Sequence, residues 1–148
     1  MPVNPDLVGR IFPPTAPYVV GREKIREFSR AVSATSALYL DPQAAIAAGF
    51  ADVVAPPTFP VVVQEQTLAQ LLAEDDAGID FGRVVHGEQR FRYSRPIVAG
   101  DVLTATLAVT SVKTLGGNAM VTAESTIVDA DGKDVVVATS TLVVRGDS

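Results

Sequence analysis

The residues able to do chemistry are few. The 148-residue chain has one histidine, His86, and neither cysteine nor tryptophan. Thiolate catalysis, zinc fingers, iron–sulfur clusters and disulfide frameworks are excluded, and any dyad that needs an imidazole within the chain must use His86. No metal-ligand spacing, phosphate loop or Ser/His/Asp arrangement is visible, so no metal and no cofactor is expected. Strict alternation puts His86 on the strand face of Glu88, Arg90 and Arg92, with Val85, Gly87, Gln89, Phe91 and Tyr93 opposite. There it either meets a ligand at a seam between chains or is an ordinary strand histidine bonded to a neighbour. Gly87 in mid-strand points to a bulge or a close backbone approach. Arg83, Arg90, Arg92 and Arg95 place four of the chain's 12 Lys and Arg residues close together, a local positive stripe on a chain of net charge -5.

The elements that must position these residues follow from periodicity. Pro2, Pro5, Pro13, Pro14 and Pro17 make residues 1–18 an extended arm over a packed body, within a single domain spanning 1–148. Ile25, Phe28 and Val32 recur at helical spacing amid charged residues, which predicts an amphipathic helix from Arg22 to Val32. Asp41 before Pro42 is an N-cap with proline at the first helical position, and Gly49 ends that short helix. Thr58 is expected to cap a third helix, unusually apolar and running to Leu72, which other structure must enclose. From Arg83 the period becomes two, with turn residues at Gly100-Asp101, Gly116-Gly117-Asn118 and Asp131-Gly132, predicting a meander of four long antiparallel strands. Small inner residues (Ala105, Ala123, Ala138, Ser140) suit a curved sheet packed closely on one long helix, an α+β hot-dog arrangement. The acidic balance argues against nucleic acid as a partner, and the absence of a long apolar run or leader-like start argues for a cytoplasmic protein that does not enter a membrane.

The segments from Val20 to Val32, Ala55 to Phe59 (APPTF) and Val84 to Asp101 (VVHGEQRFRYSRPIVAGD), with the terminal strands, resemble the MaoC-like hot-dog dehydratases. The similarity is greatest to the actinobacterial group that includes the non-catalytic subunit of (3R)-hydroxyacyl-ACP dehydratase. The resemblance implies a dimer of hot-dogs, with acyl-thioester substrates in a tunnel between protomers. That family abstracts an α-proton and expels hydroxide with an Asp and a His, helped by a glycine N–H that stabilises the thioester oxygen. Carried onto this chain, the acidic position falls on Ala34 and the histidine position on Tyr39. The intervening Asn and Pro become Ser36 and Ala37, and the oxyanion glycine and the histidine before it become Pro57 and Pro56. Proline has no N–H to donate.

A homodimer is therefore not expected to dehydrate by the family mechanism, and whether the chain is an enzyme on its own stays open. The leading expectation is a non-catalytic, acyl-chain-binding subunit paired with a dyad-bearing MaoC-like chain, or with itself. Tyr39, Thr58, Phe59, His86 and Gln89 are the substrate-binding candidates, and Arg83, Arg90, Arg92 and Arg95 are candidates for docking an acyl carrier protein or coenzyme A. Two alternatives are a homodimeric thioester hydrolase or hydratase using Glu65 or His86, and a non-enzymatic acyl-thioester binding module. Glu65 lies between Gln64 and Gln66, a run polar on too many faces to single out one residue.

Overall fold

The computed structural model describes residues 2–146. A short strand β1 (Tyr18–Val19) leads into three helices: α1 (Arg22–Ala31), α2 (Ala37–Leu40) and α3 (Pro42–Ala47). The central helix α4 (Val61–Leu72) precedes four long strands, β2 (Val84–Tyr93), β3 (Val102–Leu115), β4 (Asn118–Val128) and β5 (Asp134–Val144).

The strands form one antiparallel sheet in the order β1-β3-β4-β5-β2. The expected meander of four is thus corrected: it holds for β3 to β5, and β2 lies beside β5 at the far edge. The hairpins are where the turn residues place them. Gly116 and Gly117 both have positive φ (59° and 82°), the geometry of a two-residue turn that matches strand twist, and Leu115 pairs with Asn118 to close it. No such turn links β2 to β3. Instead Arg95 reaches back to Asp101 across a loop ending at Gly100, whose φ is 97°.

The inner face of the sheet is lined by Leu103, Ala105, Leu107, Val109, Val121, Ala123, Ile127, Ala138 and Ser140, all buried. Its small residues let α4 approach closely. One core cluster gathers Val20, Ile25, Phe59, Val63, Ile97 and Val136, and a second gathers Leu7, Phe12, Leu71, Leu107, Val121 and Leu142. Fully burying a side chain such as Phe59 contributes about 1.5–3 kcal/mol. Phe59 also meets Phe28 edge-on, with ring centroids 5.4 Å apart.

The N-terminal segment blunts the β3 edge. Gly9, Phe12 and Thr15 donate backbone N–H bonds to Val109, Leu107 and Ala105 at 2.8, 2.9 and 2.9 Å, and the Thr15 hydroxyl accepts from the Ala105 N–H at 3.0 Å. A row of unpaired edge groups that would otherwise invite another strand is thereby covered. Arg10 ties the arm to the turn after α4 through Asp76 at 2.7 Å and Glu74 at 3.2 Å.

Two helix starts differ in how they form. Asp41 caps α3 as expected, its carboxylate accepting from the Gln43 N–H at 2.9 Å. Thr58 does not cap α4. Pro56, Pro57 and Pro60 force a turn first, in which Phe59 N–H reaches Pro56 O and Val61 N–H reaches Thr58 O, so the helix begins at Val61 with Pro60 before it. The buried face of α4 is half polar: Val63, Gln64, Thr67 and Leu71.

Candidate functional site

The inner face of β2 is the edge of the sheet, and it carries two groups of residues at its two ends. Their placement depends on one residue. His86 pairs with Leu142 and Glu88 with Thr141, leaving Gly87 as the extra residue of a β-bulge. A Cβ there would meet Val143 Cγ2 at 3.0 Å and Thr141 O at 3.4 Å. The bulge reverses the alternation, so His86 shares the inner face with Gln89, Phe91 and Tyr93, while Glu88, Arg90 and Arg92 face outward. This corrects the expectation from strict alternation, which set His86 beside the arginines and apart from Gln89.

At one end, His86 Nε2 lies 3.0 Å from Gln89 Oε1. Gln89 Oε1 in turn accepts from the Ser140 hydroxyl at 2.6 Å. Gln64 of α4 donates through Nε2 to the same hydroxyl at 2.5 Å. His86 itself is exposed, whereas Gln64 and Ser140 are buried.

At the other end, the Tyr93 hydroxyl donates to the Pro57 carbonyl oxygen at 2.6 Å. Burial, with the Tyr39 phenol nearby, pushes the Tyr93 phenol well above its ordinary range. Tyr39 stands on α2, half-buried against the first core cluster. That short helix is capped by the Ser36 hydroxyl, which accepts from the Leu38 N–H at 3.3 Å. It is tied in place by Val54 N–H to Leu38 O at 2.9 Å and by Arg26 Nε to Leu40 O at 3.0 Å. Ala34 closes the end of α1, its N–H donating to Ser29 O at 2.8 Å. Tyr39, Pro57 and Tyr93 therefore form one neighbourhood, and the positions that the resemblance gives to the dyad hold Ala34 and Tyr39. At Pro57 the backbone presents a carbonyl, already bonded to Tyr93, and no donor that an oxyanion would need.

The two groups do not meet within one chain. Seven residues of strand, one of them a bulge, set His86 roughly 20 Å from Tyr93. Thr58 is exposed beside Pro57, and Phe59 is wholly buried in the core. Glu65 is exposed on α4. Tyr93, Gln64 and Ser140 were not singled out from sequence. Only Tyr93 left a signal there, as the last aromatic of the strand that carries the lone histidine.

The four arginines also separate. Arg95 grips Asp101 at 2.9 and 3.2 Å and Asp129 at 3.3 Å, joining the start of β3 to the β4–β5 turn. Asp129 also accepts from the Lys133 and Asp131 N–H groups, and these bonds with Arg95 hold its carboxyl below the ordinary range. Arg90 is paired with Glu88 on the outer face, and Arg92 is exposed there. Arg83 bonds Gly146 O at 2.9 Å and lines a cleft of about 400 Å³ with Asn118 and Arg145, at the His86 end of β2. Among the described residues no cluster of His, Cys, Asp and Glu is placed to hold a metal, and no helix is long and apolar enough to cross a membrane.

A curled five-stranded antiparallel sheet in this order around one central helix defines a hot-dog domain of the MaoC-like dehydratase type. Residues 6–138 match the FAS1-like dehydratase domain region, and the chain belongs to that family. It is 71% identical over 147 residues to a UPF0336 protein of Clavibacter michiganensis subsp. michiganensis, covering 99% of each chain. Among solved structures it is similar to the C-terminally truncated HadBC (3R-hydroxyacyl-ACP dehydratase) complex of Mycobacterium tuberculosis, with TM-score 0.84 and 32% identity over 93% of this chain and 97% of that one. A MaoC-like dehydratase matches with TM-score 0.80 and 31% identity over 94% of this chain and 42% of the other.

Proposed function

We propose that the chain is a non-catalytic, acyl-chain-binding subunit of a cytoplasmic, heteromeric (3R)-hydroxyacyl-thioester dehydratase in fatty-acid or mycolic-type lipid synthesis. The observation that carries this reading is the Pro57–Tyr93 contact beside Tyr39. Where the resemblance implies an acid, a base and an oxyanion donor, this chain has Ala34, Tyr39 and a carbonyl already engaged by a phenol. Similarity to a protein of the HadBC complex supports a subunit that works with another chain.

The edge of β2 is where the partner adds. Of its inner residues His86 is exposed and Tyr93 is partly so, and its outward backbone groups are the natural template for an antiparallel strand. If that strand is the partner's own β2, paired about the middle, His86 lies opposite the partner's equivalent of the Tyr93 end. The chain's single imidazole then serves the other subunit's site. The acyl group is carried on acyl carrier protein or coenzyme A, whose anionic groups meet the exposed Arg90 and Arg92 and the nearby Arg83.

Co-expression with a MaoC-like chain that carries the Asp/His dyad is expected to give a heteromer that hydrates trans-2-enoyl thioesters, while either chain alone is inactive or much weaker. Hydratase or hydrolase activity of this chain alone, abolished by His86→Ala or Glu65→Gln, would overturn the proposal.

A further inference from the structure

The polar side chains beneath β2 form a continuous line from the central helix to the surface imidazole. Gln64 is 1% exposed and Ser140 0%, in a core built mainly of apolar side chains. Apolar residues of similar size would pack there without needing partners, so a buried amide and hydroxyl aimed at one edge residue call for a reason.

The direction of the line follows from donor and acceptor chemistry. Gln64 Nε2 donates to Ser140 Oγ, and the Ser140 hydrogen then goes to Gln89 Oε1. A carbonyl oxygen only accepts, so the 3.0 Å contact with His86 requires the imidazole to donate from Nε2. The other ring nitrogen, Nδ1, is left with its lone pair. Thr67 braces the origin of the line, its hydroxyl bonding Gln64 O at 2.6 Å and Ser125 Oγ at 2.8 Å. The Gly87 bulge completes the geometry by turning His86 onto the face of Gln89.

We infer that Gln64, Ser140 and Gln89 are positioning residues that hold His86 as its Nε2–H tautomer and present Nδ1 as a hydrogen-bond acceptor to an O–H or N–H donor of a bound acyl thioester. The donor is the 3-hydroxyl of the acyl chain or an amide of the pantetheine arm. The tautomer stands on this geometry alone, and the nature of the ligand rests on the function proposed above.

The chain's one histidine makes the test unambiguous. In the uniformly ¹⁵N-labelled full chain at alkaline pH, where an imidazole is neutral, long-range ¹H–¹⁵N spectra are expected to show Nε2 protonated and Nδ1 unprotonated. Gln89→Leu, at the half-exposed edge, removes the acceptor directly and is expected to move the ring toward a mixture of tautomers. Ser140→Ala and Gln64→Leu are expected to move it the same way from inside the core. A wild-type ring protonated on Nδ1 would overturn the inference, because the line would then run in reverse with the Gln89 amide donating. So would a tautomer ratio that Gln89→Leu leaves unchanged.

The ligand half is read in the heteromer, with only this chain labelled, by adding 3-hydroxyoctanoyl-CoA or octanoyl-CoA. A shift of the Nδ1 resonance with the hydroxy compound only assigns the contact to the hydroxyl, and an equal shift with both assigns it to pantetheine. No shift with either removes the acceptor role. A heteromer that fails to dehydrate would sink the proposed function while leaving the tautomer result intact, so the two failures are distinguishable.

Discussion

Tyr93 donates its phenolic hydrogen to the carbonyl of Pro57 across 2.6 Å, joining the end of the edge strand to the turn that opens the central helix. Under the proposed function, this bond engages the position to which the resemblance assigns a backbone donor. The phenol stays protonated because burial and the nearby Tyr39 disfavour the phenolate.

Replacing Tyr93 by Phe is expected to lower stability by about 0.5–1.5 kcal/mol, the usual net worth of one such bond, read as a shift in urea midpoint. A pH signature reports the burial of the protonated phenol. The folded-state pKa lies above the unfolded value near 10, so the contribution is whole below pH 10 and falls away as the pH rises through the folded value. Stability of the wild type should therefore decline above pH 10, and Tyr93→Phe should shallow that decline. Equal slopes in the two proteins would mean the phenol is not held as described.

The four arginines predict divergent behaviour. Arg95→Ala leaves the half-buried Asp101 carboxylate without its cation and is expected to cost about 1–2 kcal/mol, after allowing for partial exposure. Its effect on carrier affinity should be no more than the stability loss explains. Arg92→Ala is expected to leave stability within about 0.5 kcal/mol and to weaken binding of an acidic carrier, with a shallower dependence on salt. Equilibrium unfolding and carrier titration at two ionic strengths check both. A reversal of the two phenotypes would return Arg95 to the docking surface.

What could be read from sequence divides along physical lines. Alternation along β3 and β5, the glycine pair at 116 and 117, and the Asp41 cap are local signals, and each appears in the structure where its residues place it. The position of β2 is not local: pairing with β5 rather than β3 depends on how the sheet wraps α4, which no turn residue records. Strict alternation misplaces His86 because a single bulge reverses the face of every residue beyond it, and the mid-strand Gly87 is the one residue that hints at where it falls. Gln64 was unreadable as a core residue because polarity normally marks a solvent face, and its partner Ser140 lies 76 positions away. Arg95 beside Asp101 and Asp129 shows the converse: a motif that looks like surface chemistry is taken up by holding the β2–β3 loop to the β4–β5 turn.

The arm yields a last prediction. Arg10 is bonded to Asp76 at 2.7 Å, and the guanidinium holds the Asp76 carboxyl below its ordinary range. A depressed folded-state pKa means that the contribution is present above the unfolded value near 3.8 and is lost as the pH falls through the folded one. The arm also covers the β3 edge through Gly9, Phe12 and Thr15, so loosening it should expose those amides before the rest of the sheet opens. Arg10→Ala is expected to speed amide exchange at Gly9 and Phe12 at neutral pH while leaving β4 and β5 protected. In the wild type the same amides should become labile as the pH is lowered below 4, and Asp76→Asn should remove that pH dependence. Uniform acceleration across the sheet in Arg10→Ala would show instead that the arm and the core open as one unit.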